Sequence, residues 1–513
     1  MYRIGRRGLL KSGMAAGVMA ATGMPVWAQQ RGGTLRLGLA GAHRTDSWDA
    51  RTHSDTFMRV VAHGAVFDCL TEIAANGELI GELAESWDAS ADARTWTFNL
   101  RQGVTFHNGK PFGADDVIES FRLHMSDIAA SPVGAIVSAI SEINRITDNQ
   151  VQFVLGSGNA DFPFLVADYH LLIYPAGQIQ EAMDQGIGTG LYSVESFDPG
   201  VRAVLGRVAS HYKDGRAGWF DSVEVVAISD GAARMEALIS RQVDVVNRVV
   251  FQAERALTAA PDIAIVETTG NQHYSFPIAS GLSHTDDINL RRALKYAVNR
   301  QDMVDKILLG HGSVANDHPI GPANQFLNRE LAQRAYDPDR ARFYLRQAGL
   351  EGLEIELAVS DESFCGAVEA GQLYRSSAKD CGITINVVQH AAADIVADRQ
   401  KTVSWQASRW SGRATEDWMF TAGYQSGAAW NETDWVNERF QSLLTMARAE
   451  LDSDKRREMY YEMQALCSDE GAQVIPMYAN FVDACSTKLI HGDQVGNVFD
   501  LDSGRVIERW WFA

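Results

Sequence analysis

Strand patterns and helix patterns alternate along the whole chain, and this alternation limits the fold more than any other feature. Residues 34–39 alternate apolar and polar side chains, as a half-buried strand does, and residues 96–100 repeat the pattern. Helices lie between such strands, for example one that Asp337 and Pro338 begin and Gly349 ends. Interleaved strands and helices predict an α/β protein with mixed sheets. Further strands are predicted at 151–155, 203–208, 223–228 and 355–359, and further helices from 289, after 299 and from 453.

The N-terminal residues 1–28 have the features of an export signal. Arg6 and Arg7 precede an apolar stretch at 13–27, and Ala28 supplies a small residue before a predicted cleavage site. The stretch is shorter than the ~20 apolar residues that a membrane-spanning helix needs, which argues against an anchor. The arginine pair favours the twin-arginine route, with the general secretory route as the alternative. We therefore expect a cleaved signal and a periplasmic mature protein.

The excess of acidic residues limits the possible partners. The sequence contains 65 Asp and Glu against 46 Lys and Arg, a formal net charge of −19. Nucleic acids and anionic membranes are negatively charged and would be repelled by such a surface. We expect no nucleic-acid partner, and contact with a membrane only through another protein.

Cysteine and histidine spacing gives no metal-binding pattern. The five cysteines form no CxxC pair and no zinc-ligand spacing. Cys467 ends a predicted helix and Cys485 lies in the following strand region, so the two could form a disulfide in an oxidising compartment. His43, His53 and His63 recur every ten residues, which is no compact ligand spacing. No metal and no cofactor are predicted.

Several stretches in sequence order resemble the peptide/nickel-type (family 5) extracytoplasmic solute-binding proteins of ABC importers, dipeptide- and oligopeptide-binding proteins among them. The resemblance extends over roughly residues 33–480, and its ordered set of motifs is more specific than any one of them. The stretches are 83–87 (LAESW), 96–117, 188–192 (GTGLY), 289–310 and 336–349.

The resemblance implies a two-lobed periplasmic-binding-protein fold (type II-like, cluster C) with an extra subdomain in lobe one and a hinge between the lobes. Ligand would be enclosed by hinged closure and passed to the permease subunits of an ABC importer, with the receptor acting as a monomer. The expected crossings lie near 271–277 and 476–481. The expected ranges are 29–75, 186–275 and 481–513 for lobe one, 76–185 for its subdomain and 276–480 for lobe two.

The segment 405–435 contains most of the candidate ligand-binding residues. Five of the twelve tryptophans lie in it, and aromatic walls with a few oriented polar groups are typical of small-molecule pockets. The candidates are Trp410, Arg413, Asp417, Tyr424 and Trp430, whereas Trp418 and Trp435 are expected in the core. On lobe one, His43 is a further candidate because it follows the first strand in a loop, and such loops often line clefts.

One departure from the family pattern bears on the ligand. The resemblance implies a Trp-x-x-Asp motif whose aspartate holds the free amino terminus of a peptide, but here Arg413 follows Trp410 at that spacing. A guanidinium offers a fixed fork of donors that suits a carboxylate or phosphate. Asp417 could serve as the partner of Arg413 or as an amine acceptor, and both interpretations stay open.

These observations predict a substrate-binding component of an ABC transporter that captures a small solute. The favoured ligand is a peptide or a peptide-like amino-acid conjugate that bears a carboxylate, whereas sugars and metal chelates also occur with this scaffold. The alternatives are a ligand-binding receptor for chemosensing and an extracytoplasmic hydrolase. The sequence contains no GxSxG, HExxH or P-loop motif, and we predict no enzymatic activity.

Overall fold

The computed structural model describes residues 31–125, 131–250, 253–281, 284–360, 363–390, 404–428 and 430–513. The predicted export signal lies outside these ranges. Within them, no helix combines the length and the apolar character that crossing a bilayer requires.

Strands are distributed over the whole described chain, as the alternation of patterns predicts. They are β1 (Thr34–Leu39), β2 (Thr71–Ile73), β3 (Leu79–Gly81), β4 (Ala84–Ala89), β5 (Thr95–Leu100), β6 (Ile140–Thr147), β7 (Gln150–Leu155), β8 (Tyr192–Asp198), β9 (Arg202–Arg207), β10 (Ser222–Ala227), β11 (Val245–Val246), β12 (Ile263–Pro277), β13 (Gly312–Val314), β14 (Glu354–Val359), β15 (Thr384–Gln389), β16 (Ser408–Trp410), β17 (Gln473–Ser486), β18 (Leu489–Ile490) and β19 (Trp511–Phe512).

Helices lie between these strands. The α-helices are Thr56–Met58, Ala114–Met125, Gly134–Val137, Phe162–Leu165, Ile179–Gln185, Gly231–Ile239, Glu254–Ala259, Ile288–Tyr296, Arg300–Lys306, Pro338–Ala348, Ala367–Lys379, Glu416–Tyr424, Glu438–Ala449, Ser453–Glu470, Asp500–Ser503 and Val506–Arg509. A short 3₁₀ turn covers Ala50–Thr52, and a π-helix covers Arg59–Val66.

The helix ends show why local sequence predicts these elements well. Asp337 caps the helix Pro338–Ala348 by accepting a hydrogen bond from the backbone N–H of Arg340, and Gly349 ends it with a left-handed φ of 69°. The predicted helices from 289 and 453 are confirmed as Ile288–Tyr296 and Ser453–Glu470. The predicted helix after Asn299 is also confirmed.

The largest sheet has nine strands and runs through the whole molecule. Its order is β16-β12-β17-β11-β1-β10-β9-β8, with β13 paired to β17. β1 is parallel to β10 and β11, and the other neighbours are antiparallel. A four-stranded antiparallel sheet, β4-β5-β7-β6, and a parallel pair, β14 and β15, lie beside it. The mixture of pairings confirms an α/β fold with mixed sheets.

The buried apolar residues form two groups of clusters, which define two lobes. Lobe one contains clusters drawn from 35–257 and 482–510, including the four-stranded sheet. Lobe two contains clusters drawn from 276–479. The paired strands β12 and β17 connect the two, because one end of each packs in lobe one and the other end in lobe two.

The cysteines contradict the suggested disulfide. Cys467 and Cys485 are both free thiols, and Cys467 packs in a cluster of lobe two while Cys485 packs in the main cluster of lobe one. The number of residues between two cysteines does not fix their distance, because β17 carries Cys485 away from the helix that ends near Cys467. The pairing of these two residues was therefore wrong.

Candidate functional site

A cleft between the lobes is the first candidate site. It encloses about 30 Å³ and is partly open to solvent, so a solute can occupy it only when the lobes move apart. Its walls are mostly apolar, with a few charged groups at their edge. The residues that line it are His63, Ile73, Phe164, Ala167, Asp168, Tyr169, Val498, Phe499, Ser503 and Arg505 from lobe one, and Ala414 and Trp418 from lobe two.

Arg413 directly precedes Ala414 of the cleft lining and lies among three tryptophans. Its guanidinium carbon is 5.4 Å from the ring centre of Trp410 and 5.5 Å from those of Trp418 and Trp430. Cation–π contacts of this kind attract a guanidinium to the ring faces without using its hydrogen-bond donors for an acid. Within the described ranges, one donor is used, by a bond from Nη1 to the carbonyl oxygen of Gly412 at 2.7 Å.

The loop that carries Arg413 is held in place from both sides. Gly412 has a φ of +76°, and a Cβ there would lie 2.1 Å from Oδ1 of Asn271, so the close approach requires glycine. Asn271 on β12 donates from Nδ2 to the carbonyl oxygen of Arg413 at 2.8 Å. Thr415 then caps the helix Glu416–Tyr424, which places Trp418 in its first turn. The backbone at Arg413 is thus anchored to a strand that connects the lobes.

Arg413 has no acidic partner in direct contact. Among the residues that the structure describes, none forms an ion pair with it. Burial lowers the pKa of Arg413, and the strongest opposing influence is the carboxylate of Asp168 on the other lobe. The guanidinium stays charged in any protein environment. A charged fork of donors therefore lies next to the cleft lining, and most of its donors are unused by the described residues.

The facing wall of lobe one carries charged and aromatic groups. Asp168 accepts a hydrogen bond from Nδ1 of His170 at 2.6 Å. The guanidinium of Arg59 lies 3.9 Å from the ring centre of Phe499 and 4.8 Å from that of Tyr169, and Asp500 pairs with it at 3.4 Å. Arg59 belongs to the π-helix, a conformation often found at functional sites.

The structure places three of the six predicted site residues together. Trp410, Arg413 and Trp430 lie in one cluster, where Trp410 is buried and Trp430 is 58% exposed. Nε1 of Trp410 donates to Glu432 at 3.1 Å, which orients the indole ring.

The other three predicted residues face elsewhere. Asp417 is buried and accepts two hydrogen bonds from Nε of Arg448, at 3.0 and 3.2 Å, so Arg448 is its partner instead of Arg413. Burial raises the pKa of Asp417 to about 6. Tyr424 packs in the core of lobe two. His43 is exposed beside the turn at Gly200, where its backbone N–H donates to Asp46.

Sequence reasoning missed one whole wall of the cleft. Trp418, which was expected in the core, is half-buried and packs against the main cluster of lobe one, but it also lines the cleft. Trp435 is buried in the core as expected. Asp168, Tyr169 and Phe499 belong to no recognisable motif, so only the fold could bring them to the cleft.

A buried acidic cluster in lobe one was tested as a cation site. Carboxylate oxygens of Glu72, Glu82 and Glu508 lie close enough to share an ion. Nζ of Lys213 already lies among them, at 3.0, 2.6 and 2.5 Å. Arg505 adds a second cation at 2.8 Å from Glu82. Two side-chain cations thus take the place that a metal would need, and the cluster is a structural ion network.

Comparisons with known proteins agree with the two-lobed architecture. The family model for bacterial extracellular solute-binding proteins, family 5 (middle), matches residues 78–432, more than two thirds of the chain. The dipeptide-binding protein of Escherichia coli K12 is 27% identical over 443 residues, which cover 78% of this chain and 80% of that protein. These relatives are solute-binding proteins and not enzymes.

Solved structures show the same fold at lower identity. AgaA from A. tumefaciens R10, in complex with agropinic acid, has a TM-score of 0.79 at 21% identity and covers 94% of this chain and 99% of its own. NikZ from Campylobacter jejuni, in complex with Ni(L-His), has a TM-score of 0.79 at 19% identity and covers 93% and 99%. The shared fold is that of two-lobed periplasmic binding proteins, whose ligands differ widely.

Proposed function

Because the chain belongs to the bacterial extracellular solute-binding proteins of family 5, we propose that it captures a small solute and delivers it to the permease of an ABC importer. It acts outside the cytoplasm, in the periplasm, as a monomer without catalytic activity of its own. The cleft between two lobes supports this role, since a solute can bind there and be released when the lobes separate.

Hinged closure is the proposed mechanism of capture. Residues 271–277 of β12 and 476–481 of β17 form the connection between the lobes, and a register shift interrupts their pairing between Thr268 and Gln272. A change of backbone angles in so short a connection can rotate one lobe against the other. Ligand favours the closed state because only that state offers contacts from both walls.

The ligand carries a carboxylate or a similar anionic group, which Arg413 binds. The observation that carries this proposal is a charged guanidinium next to the cleft lining, held among three tryptophans and without an ion-pair partner among the described residues. Peptide-like amino-acid conjugates combine such a group with the apolar surface that Trp418 and Phe499 can contact. We include Trp410 and Trp430 in the site because they position Arg413.

The test is a thermal-shift screen of peptides, opines, sugars and metal chelates, followed by calorimetry of the best ligand. Arg413→Ala should weaken binding by about 2–5 kcal/mol, roughly 30-fold or more, because it removes one partner of a desolvated pair. Arg413→Lys should recover part of the loss, since lysine keeps the charge but not the fork. Arg409→Ala is the matched control, because Arg409 is exposed on the opposite face of β16 from Trp410. A neutral or purely cationic best ligand, or equal binding by Arg413→Ala, would reject the proposal.

Export by the twin-arginine route is a separate proposal, supported by Arg6 and Arg7 ahead of the short apolar stretch. Changing both arginines to lysine should leave the precursor inside the cell, as measured by fractionation and mass spectrometry. Normal export of that variant would favour the general secretory route.

A further inference from the structure

Asp168 is a charged residue of lobe one in the lining that Ala414 and Trp418 complete from lobe two. Its side chain is only 3% exposed, and it lines the cleft. Oδ1 accepts hydrogen bonds from the backbone N–H of His170 at 2.9 Å and from Nδ1 at 2.6 Å. The ring of His170 is fixed in turn, because Nε2 donates to the carbonyl oxygen of His53 at 2.9 Å. The carboxylate is therefore held in one orientation.

The second oxygen of this carboxylate is unused. Oδ2 of Asp168 accepts no hydrogen bond from any residue in the described ranges. Burial raises the pKa of Asp168, but the charge and hydrogen bonds of His170, together with the charge of Arg413, outweigh burial and lower the pKa overall. The cleft thus contains an almost fully buried carboxylate whose Oδ1 pairs with His170 and whose Oδ2 is left without a donor among the described residues.

The neighbouring cations are paired with other carboxylates and do not contact Oδ2 of Asp168. Arg59 pairs with Asp500 at 3.4 Å. Arg505, at the edge of the cleft, pairs with Glu82 at 2.8 Å and with Glu508 at 2.6 Å. Asp168 and Arg413 influence each other's charge across the cleft yet form no ion pair. Asp168 lines the cleft from lobe one, and Arg413 directly precedes Ala414, which lines it from lobe two.

We propose that Asp168 binds a cationic group of the same ligand whose anionic group Arg413 binds. The ligand is then amphoteric, with an amine and a carboxylate, and an apolar part lies against Trp418, Tyr169 and Phe499. This inference rests on the proposed function, because it assumes capture in the cleft. The amine of the ligand is then bound by lobe one, whereas the family motif would place the amine-binding aspartate on lobe two. Each lobe holds one charge of the ligand, so the ligand itself links the lobes.

The test uses matched forms of one scaffold: phenylalanyl-leucine, its N-acetyl derivative and its C-terminal amide, with N-(1-carboxyethyl)phenylalanine and its N-acetyl derivative as a second series. Wild-type protein should bind the free-amine acids about tenfold to a hundredfold more tightly than the N-acetyl forms, the usual range for a charge-assisted hydrogen bond. Asp168→Asn should abolish this preference and leave the affinity for the N-acetyl forms unchanged. Calorimetry measures each pair.

The controls separate this inference from a structural role and from the proposed function. His170→Asn perturbs the hydrogen bond to Asp168 but keeps the acid, so it should retain most of the preference for free amines. An equal loss of that preference in both variants would indicate a merely structural role and overturn the inference. N-acetyl forms that bind wild type as well as free amines, or a panel without any free-amine ligand, would also overturn it. If Arg413→Ala alone has no effect, the carboxylate proposal fails while Asp168 keeps its assigned role.

Discussion

At the scale of single residues, Lys213 shows how one buried charge connects distant parts of lobe one. Its ammonium contacts Glu72 of β2, Glu82 after β3 and Glu508 of the helix Val506–Arg509. Burial lowers the pKa of Lys213, but the three carboxylates outweigh burial and raise it well above its ordinary value. The charges lose their hydration inside the protein, so removing one of them leaves the others unpaired.

We expect Lys213→Met to lower the free energy of unfolding by about 3–5 kcal/mol, the usual cost of breaking a buried ion pair from one side. Urea denaturation at pH 7 measures the change. Lys306→Met is the matched control, because Lys306 forms an exposed pair with Asp302 in the same helix, and such pairs contribute about 0.3–0.5 kcal/mol. Similar losses in the two variants would contradict a structural role for the cluster.

At the scale of elements, the loop before β13 contacts lobe one next to the connecting strands. Nδ1 of His311 donates to Glu267 of β12 at 3.0 Å, and Nε2 donates to Glu254 of the helix Glu254–Ala259 at 3.1 Å. Both ring nitrogens can donate only in the protonated imidazolium. Burial lowers the pKa of His311, but the two carboxylates outweigh burial and raise it overall.

The direction of this shift predicts a pH-dependent contact. The pKa of histidine in the unfolded chain is about 6.5. When folding raises this pKa, protonation stabilises the folded state fully below about pH 6.5, and the stabilisation is lost as the pH rises through the folded-state pKa. His311→Asn should therefore lower the free energy of unfolding by about 1 kcal/mol at pH 5.5. The expected loss is small because both carboxylates are about one-third exposed, and solvent weakens their attraction to the imidazolium. The difference should vanish by pH 9. Urea denaturation of wild type and variant at both pH values checks this.

A suitable control is His43→Asn, because His43 is exposed and takes part in no ion pair with a described residue. This variant should lose little stability at either pH. A loss in His311→Asn that is the same at pH 5.5 and pH 9 would show that protonation of His311 contributes nothing.

At the scale of the whole molecule, the arrangement of two lobes around β12 and β17 predicts a shape change on binding. Ligand that contacts Asp168 on one lobe and Arg413 on the other favours the closed state. We expect the radius of gyration from small-angle scattering to decrease when the best ligand is added. At a hundredfold excess over Kd, binding should stabilise the protein by about 2.7 kcal/mol, seen as a higher Tm.

Arg413→Ala at the same ligand concentration is the control for this prediction and should show a much smaller decrease. A ligand that binds tightly to wild type and leaves the scattering curve unchanged would count against hinged closure.

The sequence by itself determined the features that depend on near neighbours or on a recognisable motif. Asp337 and Gly349 limit a helix because caps act within one turn, and ordered motifs identified the family. Arg413 stood out because it occupies a motif position next to Trp410. These signals are local, so they survive without knowledge of the fold.

Only the tertiary structure decided which distant residues meet at the cleft. Asp168 and Phe499 reach it from widely separated segments, and Trp418 points into it although its surroundings in sequence favour the core. Asp417 turned out to be the partner of Arg448, a residue 31 positions further along the chain. Pairings of this kind depend on how lobes pack around β12 and β17, and no pattern within a short stretch of sequence carries that information.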